Sequence, residues 1–237
     1  MDASVDQFRE QYRAQFIGPN YSGWGHFAFT VSVTGAMILF FITRLHEVKP
    51  LEWLTVPLTF LYSNFSEYFG HRGPMHHPRK GLGAIFERHT RQHHRFFTHE
   101  RMEFGGTRDF KAVLFPPILI LFFLFAFGTP ITLLLNWVAS SNVAWLFAIT
   151  GTAYFLNYEL LHFAYHTPPD SWISQLPYMK TLRHHHTIHH DQNLMVHHNF
   201  NITYPVADRV MGTAFHSNDA AAGRAKSPLP ATRGEGG

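Results

Sequence analysis

The chain has 237 residues, a length that fits one domain or at most two. It contains no cysteine, which excludes disulfide frameworks, thiolate zinc sites, Cys-ligated iron–sulfur clusters and cysteine nucleophiles. Hydrophobic residues make up 46%, yet mean hydropathy is −0.10 and the net charge is +3, so apolar segments must alternate with strongly polar ones.

In chain order, residues 1–26 read as a polar N-terminal segment with charges scattered through its first thirteen positions, unlike a signal peptide. Phe27–Thr43 is uncharged and just long enough to span a bilayer as a helix. Leu51–Phe65 is apolar apart from Glu52. A long polar stretch follows, then the uncharged Ala112–Val138, which Pro116, Pro117 and Pro130 are expected to kink or break. Asn142–Leu156 completes a second hairpin, and "NYELL" (157–161) marks the expected membrane edge. Residues 217–237 are small, polar and rich in Pro and Gly, the composition of a disordered tail. The fold expected is all-α: a polytopic membrane domain over 27–216 with two transmembrane helical hairpins, about four membrane helices. Two hairpins place 17 of the 19 Lys and Arg on one side, leaving Arg44 and Lys49 opposite. By the positive-inside rule the crowded side, with both termini, is cytoplasmic.

The same side holds 17 of the 19 histidines, expected to form a His-rich helical cap. Four groups stand out: His71 and His76; His89, His93 and His94; His162 and His166; His186, His189 and His190. On regular helices His162 and His166 share a face, as do His89 and His93, whereas His94 is turned about 140° from His89. His186, His189 and His190 form an i, i+3, i+4 set, with His185 at its margin and His184 on the far side. Neutral imidazoles converging from several helices can hold a metal without thiolate. Ten are too many for one zinc and suffice for two ions at five each, so a dinuclear site is expected. His26 and His46 are isolated. His77, His99, His184, His197, His198 and His216 are expected on the surface or behind the ligands. "HERME" at His99 lacks the second histidine of a zinc-protease helix, and no G-x-S-x-G, P-loop or G-x-G-x-x-G is present.

These boxes resemble the fatty acid hydroxylase/sterol desaturase superfamily of integral-membrane, non-haem di-iron enzymes, from about Phe60 to Phe215. "HRGPMHHP", "RHTRQHH" and "LHFAYH" are similar to its first three boxes, and "HHHTIHHDQNLMVHHNFNITYPVADRVMGT" to its last box and the segment that follows. The resemblance implies that His71, His76, His89, His93, His94, His162, His166, His186, His189 and His190 bind two irons. It also implies O2 as co-substrate and hydroxylation or desaturation of an alkyl C–H bond in a membrane lipid such as a fatty acyl chain or sterol. Glu67, His185, Asp191 and Asp208 are expected to support the ligands, the carboxylates by accepting an imidazole N–H.

Two departures stand out. Ala207 precedes Asp208 where relatives commonly have Trp, and three residues separate His89 from His93 where many have two. No His-Pro-Gly-Gly segment of a cytochrome b5 occurs, so electrons are expected from a separate protein of the cytochrome b5, ferredoxin or reductase type. No nucleic-acid module is recognisable. The alternatives are a membrane metal-handling protein, against which the one-sided placement of the histidines counts, and a membrane zinc hydrolase, against which the missing H-E-x-x-H counts.

Overall fold

A computed structural model describes residues 3–216, apart from the side chains of Ala3 and Leu124. The tail expected over 217–237 lies outside the described residues. Among those residues every regular element is helical and no strand forms. The amphipathic α1 (Ala3–Phe16) lies ahead of α2 (Gly23–Ile42), which Ser22 caps by accepting the Gly25 amide. After a 3₁₀ turn, α3 (Thr55–Gly70) runs directly into a π-helical turn, π1 (His71–Met75). The polar stretch then folds as α4 (Gly83–Phe86), π2 (Glu87–His93) and α5 (His94–Phe96).

The long apolar segment is broken as its prolines require. Short α6 (Phe110–Val113) ends before Pro116, and α7 (Pro117–Phe123) restarts at Pro117, where a missing N–H costs nothing. A π turn, π3 (Leu124–Gly128), links α7 to α8 (Thr129–Val138). The longest helix, α9 (Ser141–Tyr165), begins at an N-cap in which Ser140 accepts the Val143 amide. It runs through "NYELL" without interruption and carries His162 inside its last turn. Finally α10 (Met179–His189) and α11 (Val206–Val210) close the polar side.

Helix α9 is central and packs against α2, α3 and α8. Two helical stretches, Gly23–Ile42 and Thr107–Val138, are long and apolar enough to cross a membrane. Both leave most of their surface uncovered; Leu39, Phe125, Leu133 and Trp137 are exposed. An apolar belt of that extent belongs in lipid rather than water. At Gly23 a Cβ would lie 1.9 Å from the Thr107 carbonyl oxygen, so only glycine lets α2 meet the 107–110 turn.

On the polar side α1 docks through Tyr12, packed in a cluster with Phe96, Phe97 and Val113. Arg9 donates to the carbonyls of Phe96 (2.7 Å) and Arg101 (2.8 Å). Arg13 clasps Asp109 with two bonds of 2.8 and 2.7 Å. Bidentate pairs of this kind fix orientation as well as contributing energy. They hold in place the strand of chain from which Phe97, Met102 and Ala112 present their carbonyls inward.

Candidate metal centre

Ten histidines from α3/π1, π2/α5, the end of α9 and α10 converge in two groups of five. His71, His76, His89, His94 and His189 form the first; His93, His162, His166, His186 and His190 form the second. Within each group one ring nitrogen from every residue lies within 4.8 Å of the others, and all ten side chains are buried.

The outward nitrogens settle the tautomers of six of the ten rings. Nδ1 of His93 donates to the Ala112 carbonyl (2.9 Å), His166 to Met102 (2.7 Å), His189 to His198 (2.9 Å) and His190 to Phe97 (2.6 Å). His71 donates to the Phe200 carbonyl. His76 Nδ1 lies 3.2 Å from Thr90 Oγ1, whose own proton goes to the Met75 carbonyl at 2.6 Å, so Thr90 is the acceptor. A neutral imidazole has one N–H, and with it on Nδ1 the inward Nε2 presents a lone pair.

Those inward Nε2 atoms nevertheless crowd together. His71 and His89 are 2.7 Å apart, His76 and His189 3.0 Å, His93 and His162 3.2 Å, His186 and His190 3.0 Å. Between His76 and His189, both fixed by their outward bonds, two lone pairs face one another, and at that range they repel. A cation held at about 2.1 Å from each nitrogen converts the same spacing into the edge of a coordination shell, where neighbouring ligands at right angles lie about 3 Å apart. The donor set therefore fits a metal ion in each group. Burial also holds the imidazoles neutral: it pushes His71 down to about 4 and His93 to about 3, and His76, His89, His94, His166, His186, His189 and His190 well below the usual value.

The grouping corrects the expectations drawn from regular helices. His89 and His94 meet in one group while His93 joins the other, the reverse of the expected pairing. The cause is π2, in which residues five apart, not four, are bonded one above another. The same geometry in π1 brings His71 and His76 together. On α10, His186 and His190 are one turn apart and serve the second group. His189, about 100° from His190, faces the first. The expected set of three is thus divided between the groups.

The supporting residues also differ from expectation. Glu67 bonds no imidazole: it accepts Tyr154 Oη (2.5 Å), Thr203 Oγ1 (2.7 Å) and the amides of Ile202 and Thr203, because the 200–204 loop turns its free N–H groups onto α3. Asp191 accepts only from Asn193, closing the turn after α10. Asp208 does accept an imidazole N–H, from His185 at 3.3 Å, but His185 lies outside both groups. Its other bonds come from the Phe200 amide (2.9 Å), the Asn201 amide (2.7 Å) and Thr213 Oγ1 (2.7 Å). Burial pushes the Asp208 carboxyl up, but these bonds outweigh it and the net shift is downward. Ala207 is fully buried against Tyr68 and Phe200, a position of packing. Thr90 and the five carbonyl acceptors carried no sequence signal, since any residue supplies a carbonyl. His26, His46, His77, His99, His184, His197, His198 and His216 lie outside both groups.

From the histidines an apolar cavity of about 1060 Å³ runs between α2, α3, α7, α8 and α9. His71, His89, His93 and His162 stand at one end, and Phe41 and Trp145 line the other.

This arrangement has counterparts among known proteins. Comparison with curated protein sequences returns no match. A solved structure described as full-length scs7p, of which only the hydroxylase domain is visible, is similar with a TM-score of 0.59 and 17% identity, over 98% of this chain and 83% of that one. At that identity the likeness shows the fold alone. The profile described as "Fatty acid hydroxylase" matches residues 56–213, a span that holds all ten clustered histidines. With two thirds of the sequence matched, the chain belongs to the fatty acid hydroxylase family.

Proposed function

We propose that the protein is a four-span membrane enzyme that uses two irons and O2 to hydroxylate an alkyl C–H bond of a membrane lipid. The observation that carries this reading is the pair of five-histidine groups at one end of an apolar cavity. Family membership supports lipid hydroxylation, and an all-imidazole donor set suits iron. Bound there, two irons would supply the oxidant that an unactivated C–H bond requires and that side chains cannot.

The protein's own contribution is positioning and exclusion. Carbonyls of Phe97, Met102, Ala112, His198 and Phe200, with Thr90, fix six of the ten rings. Arg88 donates to the carbonyls of Lys111 (2.9 Å) and Leu114 (2.7 Å), steadying the segment from which Ala112 holds His93. Phe115, Phe155 and Tyr158 line the cavity beside His162 and keep water from the chain that enters. The overall reaction takes one oxygen atom into the alcohol. The other leaves as water with two protons and two electrons, supplied by a separate electron-transfer protein. In this reading α2 with α3, and the 107–138 segment with α9, are the two spanning hairpins, and the basic polar side is cytoplasmic.

The test is to incubate membranes containing the protein and a reductase system under ¹⁸O2 and analyse their lipids by mass spectrometry. A lipid heavier by one ¹⁸O atom, lost in His189→Ala, is the expected result. A product lacking two hydrogens, or label arriving from water instead, would overturn hydroxylation by O2.

A further inference from the structure

Helix α9 runs the length of the cavity. Trp145, Ala148, Gly151, Phe155, Tyr158 and His162 all line it, at steps of three or four residues. Positions 145 and 162 are 17 apart, about 26 Å along the helix axis. That is nearly the hydrocarbon thickness of a bilayer, about 30 Å. Towards the far end the Phe41 and Trp145 rings line the cavity, stacked 5.5 Å apart with planes at 29°. Beyond them the polar boundary begins: the Arg44 guanidinium lies 6.0 Å from the Trp145 ring, and Asn142 and Ser140 bond Glu52.

Gly151 divides this series. It sits about 16 Å from His162 and about 9 Å from Trp145 along the axis. A Cβ there would meet nothing within 4 Å, and no positive φ demands glycine. Glycine inside a helix is destabilising relative to alanine. No close approach of a neighbour offsets that cost here. What its bare backbone leaves is open space about two thirds of the way from His162 to Trp145.

We infer that the α9 stretch from His162 to Trp145 is a length gauge, with Gly151 as the gap through which a long alkyl chain passes to end on the Phe41–Trp145 stack. This rests on the lipid-hydroxylase reading and adds to it the class of substrate. The substrate is a long unbranched aliphatic chain that crosses the bilayer mid-depth, its hydrocarbon end meeting a mostly apolar lining. Chains that stop short of Gly151 leave the far third of the cavity unfilled and bind more weakly.

The experiment uses the iron-loaded full chain in detergent and a graded series of saturated acids, from dodecanoic to tetracosanoic, with binding read by native mass spectrometry. In Gly151→Phe the new ring fills the gap. Affinity for the longest acids falls about tenfold or more because the ring occupies their path, while dodecanoic acid binds as before. Trp145→Ala shifts the optimum to longer acids, and Gly151→Ala, which adds one methyl, keeps the wild-type order. Iron content, measured on each variant, reports folding of the centre independently of the gauge. An unchanged length profile in iron-replete Gly151→Phe and Trp145→Ala overturns the gauge while leaving lipid hydroxylation standing. Failure of the wild-type protein to bind any acid of the series overturns the alkyl-chain reading itself.

Discussion

The rings of His94 and His190 stack with centroids 4.3 Å apart and planes 28° apart, although one belongs to the first group of five and the other to the second. Sequence neighbours are divided in the same way: His93 from His94, and His189 from His190. The 89–94 and 186–190 segments therefore each serve both groups, so loss of one ion is felt at the other. In His94→Ala the iron content is expected to fall from two to about one per chain, with faster loss of the remaining ion to a chelator. Elemental analysis with a timed chelator challenge checks this.

The π2 turn makes a sharper prediction. Since His89 and His94 share a group and His93 does not, His89→Ala and His94→Ala should deplete the same ion and His93→Ala the other. Mössbauer spectra of the ⁵⁷Fe-loaded variants would show the same doublet reduced in the first two and a different one in the third. If His89→Ala and His93→Ala behaved alike, the regular-helix pairing would be restored.

Thr90 is a positioning residue for His76. In Thr90→Val the acceptor for Nδ1–H is gone and a buried N–H is left unpaired, so metal affinity should fall about 10–100-fold. Thr90→Ser keeps the acceptor and should stay close to wild type. Competition against a chelator of known affinity distinguishes the two.

Acid should empty and loosen the site. An unfolded chain protonates its histidines below about 6.5, whereas folded His71 waits until about 4 and folded His93 until about 3. Between those values the unfolded state binds more protons, so stability is full above about 6.5 and declines as pH falls towards 4 and then 3. Metal release runs in the same direction, because the Nε2 lone pairs are the ones protons would take. Thermal unfolding and iron retention measured across pH 7 to 4 should fall together, and constancy of both over that range would contradict the buried, neutral state of the rings.

Asp208 ties the segment after α10 into one piece. Its carboxylate, fully buried, receives the Phe200 and Asn201 amides, Thr213 and His185. Asp208→Ala strands these donors at about 1–3 kcal/mol each and loosens the Phe200 carbonyl that holds His71. A lower melting temperature with preferential loss of the ion in the first group is the expected pairing. Loss of neither would remove Asp208 from the support of the site.

Much of this was legible in the sequence for physical reasons. Apolar runs and prolines locate the breaks in 107–138, and two of the four histidine groups, His71 with His76 and His162 with His166, sit where the apolar α3 and α9 end. The division of those histidines into fives was not legible. It depends on two π turns, whose geometry differs from the α-helix by one residue per bond, and no residue type marks a π turn in advance. Nor was the role of Glu67: four residues before His71 it looked like a partner for an imidazole, but the returning loop offered Ile202 and Thr203 amides first. Support by backbone carbonyls, as from Ala112 and Phe97, leaves no trace in residue identity.

The central claim is that each group of five histidines holds one iron. Its most direct test is metal analysis with Mössbauer spectroscopy on the full-length protein, purified anaerobically from cells grown in ⁵⁷Fe. Two irons per chain, both high-spin with nitrogen ligation and both absent after His189 and His190 are replaced together by Ala, is the result expected. One tightly held zinc per chain, or iron that survives that double replacement, would contradict it.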